Sequence, residues 1–139
     1  MQQLTPYLQY EDVAAALEWL TRAYGFQETL RFTGANGRVS HAEMAAGSGE
    51  FMLGEPGGGY RNPRHTGSRH SFVHVMVDDV DAHCELARAA GATILAEPRD
   101  MEYGLRAYRT EDPEGHRWDF ATQLREMAPE EWGAVSART

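Results

Sequence analysis

Two segments of the chain, LQYEDVAAAL (residues 8–17) and VMVDDVDAHC (residues 75–84), decide the fold because they carry the same succession of signals. Each segment opens with a residue pattern of period two, as in a half-buried β-strand. After an Asp-Val pair, the apolar residues follow at helical spacing. The two aspartates, Asp12 and Asp79, stand 67 residues apart. A repeat that keeps its register over this length indicates two copies of one structural unit.

Each copy continues with a helix that ends at a glycine and with three strand-like segments. The predicted helices cover residues 13–24, before Gly25, and about 81–90, before Gly91. The turn-forming sequence GANG separates the first two of the three segments in the first copy. The predicted strands cover residues 27–33, 38–45 and 50–54 in the first copy and 92–97, 105–110 and 116–122 in the second.

These elements predict an α+β fold in one domain over residues 1–139, with the order βαβββ in each of two tandem modules. Module one covers residues 4–54 and module two residues 71–123. The segment EPGGGYRNPRHTGSRH (residues 55–70) is rich in Gly and Pro and is interpreted as an irregular linker. Residues 124–139 form a tail, in which a short helix would bring Trp132 onto the domain or onto a partner subunit.

Composition excludes several classes of function. All 13 basic residues are Arg, so lysine Schiff-base chemistry is excluded. The lone Cys84 excludes a disulfide framework within the chain and suits a reducing compartment. No apolar run is long enough for a membrane span, and MQQLTPYLQY lacks the features of a signal peptide. We therefore expect a cytoplasmic protein without a membrane partner.

The charge balance bears on the partners of the protein. The formal net charge is −8, and an acidic domain repels the phosphates of nucleic acids. The one Arg- and His-rich run, residues 61–70, is short and interrupted by Gly and Pro. We expect no nucleic-acid partner and, from the net charge, a cationic or neutral small-molecule ligand.

The two copies, together with YRTEDPEGHRWDFAT (residues 108–122), resemble the vicinal oxygen chelate superfamily, the group of glyoxalase I, bleomycin-resistance proteins and extradiol dioxygenases. The resemblance covers nearly all of residues 4–123. It implies the glyoxalase/bleomycin resistance fold, in which the modules form a curved mixed-sheet cleft, and a homodimer whose subunits share their clefts. It leaves the function open, because the superfamily holds metal-dependent enzymes as well as metal-free binding proteins.

The resemblance also implies where metal ligands would lie. Its four ligand positions, on the first and last strands of each module, correspond to Thr5, Met52, Phe72 and Asp119. One carboxylate cannot hold a divalent ion in competition with water, so we expect no metal and no other cofactor. The alternative is a displaced site for Zn, Ni or Fe, built from His74, Glu43 or Asp119 with a residue of the partner subunit.

The alternation of side chains along strands predicts the wall of the cleft. This wall mixes aromatic rings, methionines and hydrogen-bonding groups, as expected of a small-molecule pocket. Residues 101–108 would run along its mouth, where Gly104 leaves the neighbouring side chains free to close over a ligand. The predicted ligand-binding residues are Tyr7, Gln9, His41, Glu43, Met52, Phe72, His74, Met76, Tyr103, Arg106, Tyr108 and Asp119.

Other residues are expected to be structural. Trp19 and Trp118 fall on the packing faces of their elements and are predicted in the core, and Cys84 is interpreted as an inert thiol. The remaining histidines lie in the linker, on a helix and in a turn, where solvent exposure is expected. These histidines are His65, His70, His83 and His116.

The leading hypothesis is a metal-free binding protein of the bleomycin-resistance type that sequesters an aromatic or bulky ligand, an antibiotic among the candidates. It assigns no catalytic residue. The alternative is a metal-dependent enzyme, either a glyoxalase-type lyase or isomerase or a dioxygenase. A third hypothesis is a metal-free isomerase or lyase in which Glu43 or His41 acts as general base next to Arg106.

Overall fold

The computed structural model describes residues 2–137 and consists of two four-stranded sheets with their helices. Each module contributes one sheet, with strand orders β1-β4-β3-β2 and β5-β8-β7-β6, in which only the first two strands of each order run parallel. The predicted α+β class and the tandem βαβββ order are confirmed. The elements are β1 (Tyr7–Gln9), α1 (Val13–Tyr24), β2 (Gln27–Thr33), β3 (Val39–Ala46), β4 (Gly49–Gly54), α2 (Pro63–Thr66), β5 (Val73–Met76), α3 (Val80–Ala89), β6 (Thr93–Asp100), β7 (Leu105–Glu111), β8 (Arg117–Gln123) and a 3₁₀ turn (Pro129–Trp132).

The repeated aspartates start the two long helices. The carboxylate of Asp12 accepts a hydrogen bond from the backbone N–H of Ala15, and that of Asp79 accepts one from Ala82, each at 3.1 Å. Both are N-caps, which satisfy donors that the first helical turn leaves free. The predicted bounds hold for α1, and α3 begins one residue earlier than predicted. No helix within residues 2–137 is long and apolar enough to cross a bilayer.

The linker is less irregular than predicted, because Asn62 and Pro63 begin the short helix α2. The Asn62 side chain is buried and caps this helix by accepting from the backbone N–H of His65 at 3.0 Å. The linker also touches both modules. Tyr60 donates to the carbonyl of Gln9 at 2.9 Å, and Arg64 donates to the carbonyl of Pro113 at 2.7 Å.

The helix-facing sides of both sheets share a single aromatic core. The rings of Phe51 on β4 and Trp118 on β8 lie 5.2 Å apart, with Phe26 within 5.4 Å of both. Trp19 and Trp118 are buried, as predicted. Because this core packs against the helix-facing side of each sheet, the helix of the same module does not cover the opposite side. We call these two surfaces the first and second open faces.

The Asp-Pro-Glu-Gly turn between β7 and β8 ties the second module to the first. Asp112, only 1% exposed, accepts from the Tyr10 hydroxyl at 2.6 Å and from Trp118 Nε1 at 3.1 Å. Burial raises the pKa of Asp112, and these donated hydrogen bonds oppose the shift. Glu114 accepts from the backbone N–H groups of Glu11 and Asp12 at 2.6 and 3.0 Å. These contacts between modules do not follow from the sequence pattern.

The tail contains the 3₁₀ turn Pro129–Trp132, and Trp132 packs on the domain rather than standing free. Its ring lies 5.6 Å from that of Tyr103, next to the segment that was predicted to border the cleft. The end of the predicted tail, residues 138 and 139, lies outside the described residues, as does residue 1.

Candidate functional site

The first open face brings together five of the predicted residues. The register places Tyr7 beside Met52 and Met52 beside Glu43, and it places Gln9 and His41 on either side of Gly54. Tyr7 is 53% exposed, while His41, Glu43 and Met52 are half-buried. This face therefore presents an aromatic ring, a thioether and polar groups on neighbouring strands.

A chain of hydrogen bonds crosses the first open face. Tyr7 Oη lies 2.8 Å from His41 Nδ1, and His41 Nε2 lies 3.1 Å from Glu43 Oε2. Because an ionised carboxylate only accepts, a neutral His41 donates from Nε2, and its Nδ1 then accepts from the phenol. Gly54 makes room for this arrangement, since a Cβ there would lie 2.6 Å from Tyr7 Cε1. Such a chain can orient the phenol and pass a proton along it.

The second open face is built around an ion pair. His74 lies beside Asp119 in the register, and Asp119 lies beside Arg109. Arg109 holds both carboxylate oxygens of Asp119, with Nε at 2.7 Å and Nη2 at 3.0 Å. The guanidinium carbon also lies 5.0 Å from the centroid of the Phe72 ring, close enough for a cation–π interaction. Arg109 and Phe72 thus form a flat platform beside the carboxylate.

Sequence reasoning missed Arg109 because it assigned β7 the wrong face. Tyr108 was predicted on the cleft wall, but it is 2% exposed and lies in the core, where its hydroxyl meets His83 at 2.6 Å. Arg106, on the same side, pairs with Asp81 of α3 at 3.1 Å rather than facing the cleft. Ala107 and Tyr108 are both acceptable in a core, so apolar character alone did not decide the alternation. Thr110, on the same side as Tyr108, is buried, but a threonine in the sequence does not indicate this.

The surroundings of His83 and Cys84 bear on two further predictions. His83 was expected to be exposed, but it is half-buried between Tyr108 and Tyr24. Burial lowers the pKa of His83, although its hydrogen bond to the Tyr24 carbonyl opposes this. Cys84 is buried, and burial raises the pKa of its thiol, which is consistent with an unreactive side chain.

A groove of about 750 Å³ lies between the edge strands β1 and β5. We call it the seam groove. A second hollow, beside Trp19 and Pro113, measures about 270 Å³. The volume of the seam groove suits a drug-like ligand. Four predicted residues line the seam groove, and Met76 lies outside it, exposed on the second open face. The lining residues are Pro6, Tyr7, Leu8, Gln9, Tyr60, Pro63, Ser68, Arg69, His70, Ser71, Phe72, Val73, His74, His116 and Arg117.

The donor atoms of residues 2–137 do not form a metal site within one chain. Within residues 2–137, no three His, Cys, Asp or Glu side chains are grouped closely enough to hold an ion. Asp119 is engaged by Arg109, and His41 with Glu43 makes only a pair. A displaced site for Zn, Ni or Fe would need donors from a second copy of the chain.

Known proteins share the sequence pattern and the fold of this chain. The family model of the Glyoxalase/Bleomycin resistance protein/Dioxygenase superfamily matches residues 2–120. An uncharacterised protein of Mycobacterium tuberculosis (strain H37Rv) is 31% identical over 133 residues, which is 92% of this chain and 78% of the other.

Among solved structures, TioX from Micromonospora sp. ML1 is 35% identical, with a TM-score of 0.71 over 91% of this chain and 100% of the other. The fosfomycin resistance protein FosX from Listeria monocytogenes has a TM-score of 0.66 at 12% identity, over 95% of this chain and 98% of the other. At that identity the likeness concerns the fold alone.

Proposed function

Because the chain belongs to the Glyoxalase/Bleomycin resistance protein/Dioxygenase superfamily, we propose that it is a metal-free binding protein that sequesters an aromatic or bulky small molecule. The contact between Arg109 and Asp119 carries this proposal. The only carboxylate at the four ligand positions is held through two hydrogen bonds by a guanidinium that also contacts Phe72. An arginine there neutralises the carboxylate without a metal and offers a flat surface on which a planar ligand can stack.

The seam groove supports the same proposal. Phe72 is 50% exposed and lines the groove together with Tyr7 and Tyr60, so aromatic rings stand on both sides of it. Rings in such positions bind flat ligands by stacking, and their polar tips fix the orientation of the ligand. Antibiotics belong in a ligand screen, since bleomycin-resistance proteins give the superfamily part of its name.

We further propose that a second copy of the chain covers the open faces. Phe32, on the first open face, is 60% exposed, and Met76 on the second is 49% exposed. Large apolar residues grouped on a surface usually mark an interaction site. A homodimer that sets one face against the other would enclose a cleft lined by both subunits.

Elemental analysis followed by a binding titration tests the proposal. The protein is purified without an affinity tag or chelator, its Zn, Ni and Fe content is measured, and a panel of planar aromatic compounds is titrated against its intrinsic fluorescence. Saturable quenching without stoichiometric metal supports the proposal. About one bound metal per chain would overturn it in favour of the metal-dependent lyase, isomerase or dioxygenase. Phe72→Ala, which removes the platform ring, should weaken the quenching.

A second candidate function is metal-free acid–base catalysis, and the hydrogen-bonded chain from Tyr7 through His41 to Glu43 favours it. The phenol at its outer end is exposed and could exchange a proton with a bound ligand. Arg106 does not belong to this candidate site, since it pairs with Asp81 on the helix-facing side. Incubation of any bound compound in D₂O distinguishes the candidates, because catalysis incorporates deuterium at carbon and simple sequestration does not.

A further inference from the structure

The seam groove differs in charge from the protein that contains it. The chain carries a formal net charge of −8, yet the groove-lining residues within the described range 2–137 include no Asp or Glu. Five of them are basic or can become so. These are Arg69, His70, His74, His116 and Arg117.

The arginines of the groove outnumber the carboxylate that they contact. Arg69 Nη2 and Arg117 Nε both approach the same atom, Oε2 of Glu111, at 2.8 and 3.5 Å. Two guanidinium groups against one carboxylate leave a net positive charge. The nearby carboxylate of Asp119 is neutralised by Arg109. The surplus therefore lies next to the groove.

Arg117 has unused hydrogen-bonding capacity. Its Nε is buried and donates to no atom of residues 2–137, because 3.5 Å from Glu111 is a charge contact and not a hydrogen bond. Burying a donor without an acceptor is costly. Arg69, by contrast, is occupied by the carbonyl of Gly115 at 2.7 Å as well as by Glu111. The Arg117 side chain is 38% exposed, so its guanidinium is the one that a ligand in the groove can reach.

We propose that the seam groove binds an aromatic ligand bearing an anionic group such as a carboxylate, sulfonate or phosphate, with the anion on Arg117 and the rings between Tyr7, Tyr60 and Phe72. This inference rests on the proposed binding function and names its ligand class. It replaces the cationic or neutral ligand expected from net charge, because the field inside a groove is set by the groups that line it. The hydroxyl groups of Ser68 and Ser71, which also line the groove, can donate to the same anion.

A matched pair of fluorescent probes tests the charge. The probe 8-anilinonaphthalene-1-sulfonate and the probe N-phenyl-1-naphthylamine share one ring system and differ in the sulfonate. We expect the sulfonate to bind the full chain about ten-fold more tightly. Raising the NaCl concentration from about 20 mM to about 0.5 M should weaken binding of the sulfonate probe and leave binding of the neutral probe unchanged.

Variants locate the effect. Arg117→Gln should lower the affinity for the sulfonate probe about ten-fold and keep the affinity for the neutral probe within about two-fold of wild type. The control is Arg106→Gln, on the helix-facing side, which should change the affinity for neither probe. Phe72→Ala should lower the affinity for both probes.

Equal affinity of wild type for the two probes would overturn the anionic ligand class while the binding function stands. If neither probe binds saturably, or if Phe72→Ala changes neither, the binding function fails as well. The wild-type comparison and its salt dependence decide the question even if Arg117→Gln does not fold.

Discussion

Tyr108 and His83 form a hydrogen bond of 2.6 Å between the phenol and Nδ1 of the imidazole, inside the core that joins helix α3 to its sheet. The other ring nitrogen of His83, Nε2, lies 3.0 Å from the carbonyl oxygen of Tyr24. A carbonyl only accepts, so Nε2 carries the proton and Nδ1 receives the phenol hydrogen. Burial favours the neutral imidazole, and the two contacts link the end of α1 to the second module.

This geometry predicts a pH dependence of stability. Burial lowers the pKa of His83 in the folded state, so its contribution is fully present above the ordinary value of about 6.5 and is lost as the pH falls below it. His83→Gln should flatten the pH dependence of the free energy of unfolding between about pH 7 and 5, by at most about 1.4 kcal/mol per pH unit. Urea unfolding followed by circular dichroism measures this. The exposed His70→Gln should keep the wild-type slope, and an unchanged slope in His83→Gln would contradict the assignment.

Arg109 and Arg106 lie on opposite faces of β7, so their substitution should affect ligand affinity differently. Arg109→Gln removes the platform on Phe72 and should weaken binding of an aromatic ligand about five-fold, or about 1 kcal/mol. Arg106→Gln breaks an exposed pair with Asp81 on the other side and should leave affinity within about two-fold. Fluorescence titration of both variants measures the difference. The reverse order of effects would show that the predicted cleft position of Arg106 was right after all.

The close approach of Gly54 to Tyr7 predicts the effect of a single methyl group. In Gly54→Ala the new Cβ would lie 2.6 Å from Tyr7 Cε1, so the ring must turn away and lose its hydrogen bond to His41. Tyr7 is exposed and can move, so we expect the fold to persist while the imidazole resonances of His41 shift in NMR spectra. Gly49→Ala, where the nearest atom is 3.7 Å away, is the matched control. Identical His41 resonances in both variants would exclude the hydrogen-bonded chain.

The exposed open faces predict a dimer that one charge can disrupt. Light scattering should give a mass twice the 15.5 kDa of one chain for the wild type, and Phe32→Asp should reduce it to the mass of one chain, because the carboxylate would be buried without a partner in the interface. Leu86→Asp places the same charge at an exposed leucine of α3 and should remain dimeric. A monomeric wild type would contradict the shared cleft.

Much of the fold followed from local patterns in the sequence. The spacing of Asp12 and Asp79 identified two modules because an N-cap acts through hydrogen bonds to residues only three positions away. Gly25 ended α1 because it adopts a φ of 74° there, which residues with a side chain rarely do. Such signals involve neighbours along the chain, so they can be interpreted without knowledge of the tertiary structure.

The candidate site was predicted in part, and the errors have a common cause. Tyr7, His41 and Glu43 were placed on the correct face because their strands alternate clearly between large apolar and polar residues. In β7 the small Ala107 made both alternations plausible, so Tyr108 and Arg106 were assigned to the cleft and Arg109 was missed. The face of a strand is decided by what packs against it, and for β7 that is α3 with His83.

The sequence by itself determined the repeat, the α+β class, the bounds of α1 and the burial of Trp19 and Trp118, because these depend on periodicity and on short-range hydrogen bonds. Tertiary structure alone decided that both modules share one core, that Asp112 and Glu114 join them, and that β1 and β5 leave a groove between them. It also decided the charge of that groove. Net charge is a sum over the whole chain, whereas the field that a ligand meets depends on which few side chains the fold brings together, here Arg69 and Arg117 around Glu111.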